Sequence, residues 1–312
     1  MHGTPDAEPL RTRIYIDGYN FYYGCLKGTP YKWLDLLPLF EDHILPSVMV
    51  RDAIAHPRQS RLLDTPSIKF FTAKILENVA RAPDSVSSQA RYHTALRKLH
   101  GARIELIEGY YALNKMKVRV VDPGVPHRVP RDCQEIQAWK VEEKQSDVNL
   151  ALHAYHDALT SSVDQVVIVT NDTDIAPALK MIRDHTRVCI GLVVPTTDHE
   201  RVPNTDLARL AHWVRTHVSK SELAVCQLPR VIPGRKPTVK PESWYARPDL
   251  LKQVLEQVIS VRGDRGKAFK WLEAPNQYFK GERPIDLLET ELGARDVVNY
   301  IDQWLARQNP TE

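Results

Sequence analysis

The chain has 312 residues, of which 43% are hydrophobic and 26% are charged, and its formal net charge is +3. This composition predicts a soluble globular protein with a sizeable core, and the length suits two domains better than one. So small a net charge does not by itself indicate a nucleic-acid partner, so any such partner must be inferred from local patches. The cysteines are too scattered for a disulfide framework or a zinc site.

The N-terminal segment, residues 1–11, is polar and lacks the apolar core of a signal peptide. No later run approaches the roughly 18 uninterrupted apolar residues that a membrane-spanning helix needs. We therefore expect a cytoplasmic protein without a membrane partner.

Strand-like and helix-like segments alternate through the first two thirds of the chain. Strands are predicted at residues 14–17, 68–73, 166–170 and 188–194, which are short apolar runs rich in β-branched side chains. Helical spacing of apolar residues follows Ser146, follows Asp174 and recurs from Asn204 to Val218. This alternation predicts an α/β fold, a doubly wound and mostly parallel sheet with helices on both faces.

Other segments depart from that alternation. Residues 104–110 and 117–121 predict an edge hairpin that turns at residues 112–114. The proline-rich, basic stretch within residues 221–248 indicates an extended connector. Apolar stripes in residues 249–312 predict a small, all-helical C-terminal domain.

Four aspartates stand where an α/β sheet would gather them. Asp17 ends the first predicted strand, Asp147 opens a helix, and Asp172 and Asp174 follow the strand at 166–170. Ligands of an open parallel sheet bind outside the carboxyl ends of its strands. Carboxylates brought together in one crevice repel each other unless a cation neutralises them. The pattern therefore predicts a site for Mg²⁺ or Mn²⁺.

The segments that carry these acids resemble a known family. They are Ile16-Asp17-Gly18-Tyr19-Asn20, Glu143-Lys144-Gln145-Ser146-Asp147-Val148 and Thr170-Asn171-Asp172-Thr173-Asp174. They are similar to the three signature segments of the NYN domain, the PIN-like nuclease fold of the LabA-type family, and they occur in the family's order within residues 12–220. Gln145-Ser146 departs from the glycine-containing pair that is common before the helix aspartate.

The resemblance implies a metal-dependent ribonuclease that uses Mg²⁺ or Mn²⁺. Its metal ligands would be Asp17, Asp147, Asp172 and Asp174, and Asn20 would complete the catalytic cluster. Helix capping is the alternative role for Asn20, Asp147 and Asp174, since all three positions suit caps. Asp17 has no evident capping role at the end of a buried strand, and this favours the metal-site interpretation.

Basic residues suggest where RNA would bind. Lys115, Lys117 and Arg119 alternate with apolar residues, so one face of a strand would present three cations. The predicted nucleic-acid-binding set is Lys115, Lys117, Arg119, Lys144, Arg235 and Lys236, and Trp244 and Tyr245 are candidates for base stacking. The alternatives are a solvated strand face for the three cations, and packing against the preceding domain for the two aromatic residues.

The C-terminal domain has a resemblance of its own. Its pattern is Trp271-Leu272, Pro275-Asn276, Gly281, Pro284-Ile285, Leu287-Leu288, Thr290, Gly293 and Val297. This spacing is similar to the toxin-binding C-terminal domain of ParS, MbcA and Xre-type antitoxins, which implies a protein partner or a homo-oligomer through residues 249–312. Two functions stay open: an endoribonuclease whose tail recruits a partner, and a non-catalytic adaptor, related to toxin–antitoxin systems, that binds RNA or protein.

Overall fold

The computed structural model describes residues 8–51, 57–197 and 201–308. Residues 1–7 of the predicted N-terminal segment and residues 309–312 of the predicted tail lie outside this range. The chain forms two compact units, one of Met1–Lys27 with Leu34–Thr238 and one of Gly28–Trp33 with Val239–Glu312. Within the described residues, no helix has both the length and the apolar character needed to cross a membrane.

The first unit is built on a large mixed sheet. The strands of the chain are β1 (Leu10–Asp17), β2 (Val50–Arg51), β3 (Pro57–Arg58), β4 (Ser60–Leu62), β5 (Ile68–Ala73), β6 (Ile104–Arg119), β7 (Glu135–Lys144), β8 (Gln165–Val169), β9 (Cys189–Val193), β10 (Trp213–Arg215), β11 (Val231–Ile232) and β12 (Thr238–Val239). The main sheet runs in the order β10-β9-β8-β1-β5-β6-β7, and β4 also pairs with β1. Its neighbouring strands are parallel except for the antiparallel pair β6–β7.

Helices cover both faces of this sheet. The helices of the first unit are α1 (Gly18–Phe21), α2 (Leu36–Pro38), α3 (Ser85–His100), α4 (Ser146–Leu159), α5 (Ala176–His185), α6 (Thr205–Leu210) and α7 (Lys220–Val225). Those of the second unit are α8 (Pro248–Arg262), α9 (Arg265–Leu272), α10 (Pro284–Leu287) and α11 (Glu291–Gln308). Leu150 of α4 and Leu179 of α5 pack on the face that carries Tyr15, while Ile14 and Ile16 are buried on the alternate face of β1. The predicted α/β fold is confirmed.

The turn of the predicted edge hairpin was placed at the wrong residues. Residues 112–114 do not turn but continue β6, which pairs in parallel with β5 through Gly109 and then antiparallel with β7 from Tyr110 onward. The chain reverses only in the segment between Arg119 and Glu135. Each half of β6 thus has its own partner, which satisfies its backbone hydrogen bonds and explains why the strand does not break.

The predicted third helix is too long. It begins after the cap residue Asn204, as expected, but α6 ends at Leu210. Val214 lies instead in β10, which adds a parallel edge strand to β9. Pairing with an available sheet edge therefore outweighs the helical spacing of the apolar residues in this segment.

The second unit has a helical core of its own. Leu251, Val254 and Val258 of α8 are buried together with Val297 and Ile301 of α11, so both predicted apolar stripes contribute to the core. A side chain at Gly293 would place its Cβ atom 2.2 Å from the carbonyl oxygen of Leu287, so the close approach of α10 and α11 requires glycine there. The rings of Trp244 and Tyr245 pack inside this unit, 6.0 Å from Trp33 and 6.1 Å from Phe269 between centroids.

A buried charge cluster joins β1, β5 and α4. The Oδ2 atom of Asp157 accepts hydrogen bonds of 2.7 Å from Arg13, Tyr15 and Lys69. Burial raises the pKa of Asp157, but the bonds from Lys69, Tyr15 and Arg13 outweigh it and hold that pKa below its ordinary value. A carboxylate that neutralises two buried cations should be strongly stabilising relative to its loss.

Asp157→Asn should therefore lower the free energy of unfolding by about 3 kcal/mol at pH 7, because it leaves two buried cations uncompensated. The folded-state pKa is depressed, so this stabilisation is present above the unfolded-state pKa and is lost as the pH falls through the folded-state value. Urea unfolding across pH 3–7 measures both effects. The control is Asp164→Asn, which removes the exposed ion pair with Arg11 and should cost less than about 1 kcal/mol. Equal losses in the two variants would contradict the assignment.

Candidate functional site

Asp17 lies at the end of the central strand of the sheet and is 4% exposed. Its Oδ1 atom accepts a hydrogen bond from the backbone N–H of Asn20 at 2.9 Å, and its Oδ2 atom accepts one from the Thr170 hydroxyl at 2.8 Å. Burial raises the pKa of Asp17, these two hydrogen bonds lower it, and the charges of Glu143 and Asp172 raise it further. The net pKa is above the ordinary value of an aspartate.

Thr170 connects two of the predicted acids. Because Ile16 pairs with Val169, the residues that follow them come together at the same sheet edge. The Thr170 hydroxyl donates to Asp17 and accepts from the backbone N–H of Asp172 at 3.1 Å. Asp172 in turn accepts the backbone N–H of Asp174 at 3.1 Å, which fixes the loop that carries both acids.

Asp147 reaches the same edge from the first turn of α4. Burial, followed by the negative charges of Asp17, Asp172 and Asp174, raises the pKa of Asp147 to about 6. The four predicted aspartates are therefore close enough to act on one another electrostatically.

Glu143 is a fifth acid of this site that the sequence analysis did not select. It lies near the end of β7, where its carboxylate accepts hydrogen bonds from the hydroxyls of Tyr111, at 3.4 Å, and Ser146. Burial raises the pKa of Glu143, the bond from Ser146 lowers it, and the charge of Asp147 raises it again. The available signal was its position in the same signature segment as Asp147, three residues before the start of α4.

The capping roles differ from the expected ones. Asp17 does cap a helix, since it is the N-cap of the short α1, and the view that it has no capping role is wrong. Asp147 does not cap α4, because the N-cap position belongs to Gln145. Asp172, and not Asp174, caps the 3₁₀ turn Thr173–Ile175. Capping therefore does not account for the placement of Asp147 or Asp174.

The donor chemistry of this site fits a hard divalent cation, because every predicted ligand is a carboxylate oxygen and like charges repel one another until a cation neutralises them. Within the described ranges, no group of three or more His, Cys, Asp or Glu side chains is already arranged to coordinate an ion. The residues thus match Mg²⁺ or Mn²⁺ in type and charge, and side-chain movement would be needed to close a coordination shell.

Exposed aromatic rings lie next to the acids. Tyr19 is 48% exposed, Tyr22 is 39% exposed, and the Tyr19 ring lies 4.5 Å from that of Tyr23 between centroids. Burial and the neighbouring Tyr23 raise the pKa values of Tyr19 and Tyr22, the charge of Glu143 raises that of Tyr19 further, and the charge of Arg81 lowers both. The surroundings of the acids therefore include flat apolar surface and a cation.

The predicted basic residues fall in three places. Lys115, Lys117 and Arg119 occupy the outer half of β6, whereas Lys144 is the last residue of β7 and forms an ion pair with Glu142 at 2.9 Å. Arg235 and Lys236 are exposed in the turn between β11 and β12, a separate two-stranded sheet. The outer half of β6 is continuous with the strand pair that carries Glu143.

Comparison with known proteins gives two family matches. Residues 11–212 match the NYN domain model, and residues 255–309 match the model for the antitoxin Xre/MbcA/ParS C-terminal toxin-binding domain. Both resemblances inferred from the sequence are thereby confirmed.

One relative that the chain matches is named as a monooxygenase and not as a nuclease. It is 6-hydroxy-3-succinoylpyridine 3-monooxygenase HspA of Pseudomonas putida (strain DSM 28022 / S16), which is 70% identical over 303 residues, 97% of each chain. Among solved structures, a protein of unknown function, VPA0982 from Vibrio parahaemolyticus RIMD 2210633, is 16% identical with a TM-score of 0.37, over 70% of this chain and 98% of the other.

Replacing Asp147 with Asn should stabilise the metal-free protein. The folded-state pKa of about 6 lies above the ordinary value of 3.8, so stability falls as the pH rises between these values. At pH 8 with EDTA, Asp147→Asn should raise the free energy of unfolding, measured by urea denaturation, by about 1 kcal/mol once solvent screening is allowed for. Below pH 4 the gain should vanish. The exposed Asp184→Asn on α5 is the charge-matched control, and an equal gain there would mean that relief of general charge, not this site, causes the effect.

Proposed function

This chain belongs to the NYN domain family, and we propose that it is a metal-dependent nuclease that hydrolyses phosphodiester bonds in RNA. The observation that carries the proposal is the pair of hydrogen bonds by which Thr170 joins Asp17, at the end of β1, to the backbone of Asp172, after β8. Burial and the charges of Asp17, Asp172 and Asp174 also raise the pKa of Asp147 to about 6. Such a cluster is electrostatically unfavourable until a cation enters it.

The proposed ligands are Asp17, Asp147, Asp172 and Asp174. A bound Mg²⁺ or Mn²⁺ would activate a water molecule and stabilise the charge that develops on the leaving oxygen. The Thr170 hydroxyl keeps the Asp17 carboxylate oriented, and we assign to Asn20 the positioning of the water. Hydrolysis forms one phosphorus–oxygen bond from water and breaks the one to the leaving sugar oxygen, which departs as a hydroxyl.

Oxygenation of 6-hydroxy-3-succinoylpyridine is the second candidate function. It is supported by the relative named 6-hydroxy-3-succinoylpyridine 3-monooxygenase HspA, which is 70% identical over 97% of each chain. A monooxygenase reaction inserts one atom of O₂ and reduces the other to water, so it requires an external two-electron donor. The exposed rings of Tyr19 and Tyr22 could pack on a pyridine ring, and Arg81 could pair with the succinoyl carboxylate.

For the nuclease candidate, Asp17→Asn and Asp172→Asn should each reduce cleavage of labelled RNA in Mn²⁺ by about 100-fold or more, because each removes a metal-binding charge. Asparagine is also a good cap, so Asp17→Asn keeps the bond to Asn20 and should fold. Gel analysis with Mn²⁺, Mg²⁺ or EDTA gives the result, and Asp184→Asn should cut like the wild type. Cleavage that survives both substitutions and EDTA would exclude the proposed site.

The same preparations decide between the two candidates. Each is incubated with 6-hydroxy-3-succinoylpyridine, NADH or NADPH, and O₂, and pyridine consumption is followed by liquid chromatography. Turnover of the pyridine without RNA cleavage supports the second candidate. Failure of both reactions would favour the non-catalytic adaptor.

The C-terminal unit is proposed to bind a protein partner or a second copy of the chain. Its match to a toxin-binding domain supports this role, and Leu292 and Tyr278 remain 67% and 53% exposed. Leu292→Asp should therefore reduce self-association, measured as mass by light scattering, while RNA cleavage stays unchanged. Glu291→Gln on the same turn is the control. An unchanged molecular mass of Leu292→Asp would show that self-association does not depend on this surface.

A further inference from the structure

The outer half of β6 and β7 forms a two-stranded arm, residues 110–119 and 135–144. Residues that face each other directly in an antiparallel pair lie on the same side of it. The pairs Tyr111–Glu143, Leu113–Val141, Lys115–Trp139, Lys117–Gln137 and Arg119–Glu135 therefore share one side, which we term the arm face. The predicted cations Lys115, Lys117 and Arg119 all lie on it, whereas Lys144 lies on the opposite side with Tyr110.

The base of the arm face belongs to the acid site. Tyr111 donates its hydroxyl hydrogen bond to Glu143 at 3.4 Å. Glu143 also accepts a hydrogen bond from the hydroxyl of Ser146, the residue before Asp147 at the start of α4, so this end of the arm lies beside a proposed metal ligand. A molecule lying along the arm face would therefore reach the proposed metal ligands.

The outer part of the arm face offers a flat ring and positive charge. The Trp139 side chain is 62% exposed, and the Lys115 ammonium lies 5.0 Å from its ring centroid. Lys117 and Arg119 share a single carboxylate, that of Glu135, at 3.6 and 2.7 Å. Three cations against one acid leave this part of the face positive. Trp139 is four residues from Glu143, which is about 14 Å along the strand.

We propose that the arm face binds single-stranded RNA and leads it to the acid cluster, with Trp139 stacking on a base and Lys115, Lys117 and Arg119 contacting phosphates. The inference rests on the proposed nuclease function, and it names the substrate class as unpaired RNA. An exposed ring flanked by cations matches the way proteins hold single strands, because an unpaired base presents a free π-face and its backbone follows the positive charge. In a duplex the base faces are stacked on one another and cannot reach Trp139.

Binding is tested separately from cleavage, on the full-length protein in EDTA, by fluorescence anisotropy of labelled single-stranded RNA, single-stranded DNA and duplex RNA. Trp139→Ala should weaken single-stranded RNA binding about tenfold, and Trp139→Phe should restore most of it. The matched control is Tyr110→Ala, an aromatic residue 52% exposed on the opposite side of the arm, which should bind like the wild type. Single-stranded RNA should bind more tightly than the duplex.

Charge is tested by a second pair of variants. Replacing Lys115, Lys117 and Arg119 with Ser should reduce the slope of log affinity against log salt by about 0.7 per lost phosphate contact. Lys140→Ser neutralises a cation that faces Asn114 on the opposite side of the arm and should leave the slope unchanged.

Equal affinity of Trp139→Ala and Tyr110→Ala, or a preference for duplex RNA, would overturn the inference. So would a fall in molecular mass of Trp139→Ala with unchanged RNA binding, because the face would then bind a second copy of the chain. Tighter binding of single-stranded DNA than RNA would overturn the choice of RNA. If the protein binds RNA through Trp139 but cuts nothing, only the nuclease proposal is refuted. If all variants bind RNA equally and the protein still shows metal-dependent cleavage, only the proposed role of the arm face is refuted.

Discussion

The hydroxyl of Thr170 fixes the geometry on which the candidate site depends. It donates to Asp17 at the end of β1 and accepts from the backbone of Asp172 after β8, so one side chain holds the ends of two strands together. This is feasible only because Ile16 and Val169 are paired in parallel register. A slip of one residue would turn Asp17 to the opposite face of the sheet and separate it from Thr170. Glu143 and Asp147 come from β7 and from the first turn of α4.

The connection between β7 and α4 carries backbone strain in addition to the repulsion among the carboxylates. Glu143 and Asp147 enter the site from either side of the connection between β7 and α4. Gln145, between them, adopts a left-handed conformation with φ of +77°, which is unfavourable for a residue with a side chain by about 1 kcal/mol or more. Its position coincides with the departure from the glycine-containing pair, and glycine would adopt this φ without strain. The strained turn keeps both acids directed at the same sheet edge.

Sequence patterns predicted the parts of the site that depend on local structure. Asp17 and Asp172 could be found because each follows a short β-branched strand, and parallel strands must end at a common edge. Glu143 was missed because its inclusion depends on β7 pairing with β6, a contact between distant segments. The supposed turn at residues 112–114 failed for the same reason, since Asn114 suits a turn until Lys140 becomes its strand partner. Capping was misassigned although these bonds are local, because the helical turns begin at Gly18 and Thr173, before the apolar residues that indicated them, so that Asp17 and Asp172 are the caps.

The aromatic surface beside the acids is compatible with either candidate substrate, since a nucleobase and a hydroxypyridine are both flat heteroaromatic rings. The anionic group distinguishes them more sharply. A phosphodiester would have to approach Asp17, Asp147 and Asp172 with like charge, which becomes favourable only through a shared cation of the kind that oxygen donors select. A succinoyl carboxylate could instead pair with Arg81, and its ring would then rest on Tyr19 and Tyr22 without entering the acid cluster. Gathering several carboxylates at one sheet edge suits a bound cation in either case, because carboxylates also hold the metal ions of oxygenases. The position of the anionic group of the substrate, and not the carboxylate cluster itself, therefore distinguishes the two candidates.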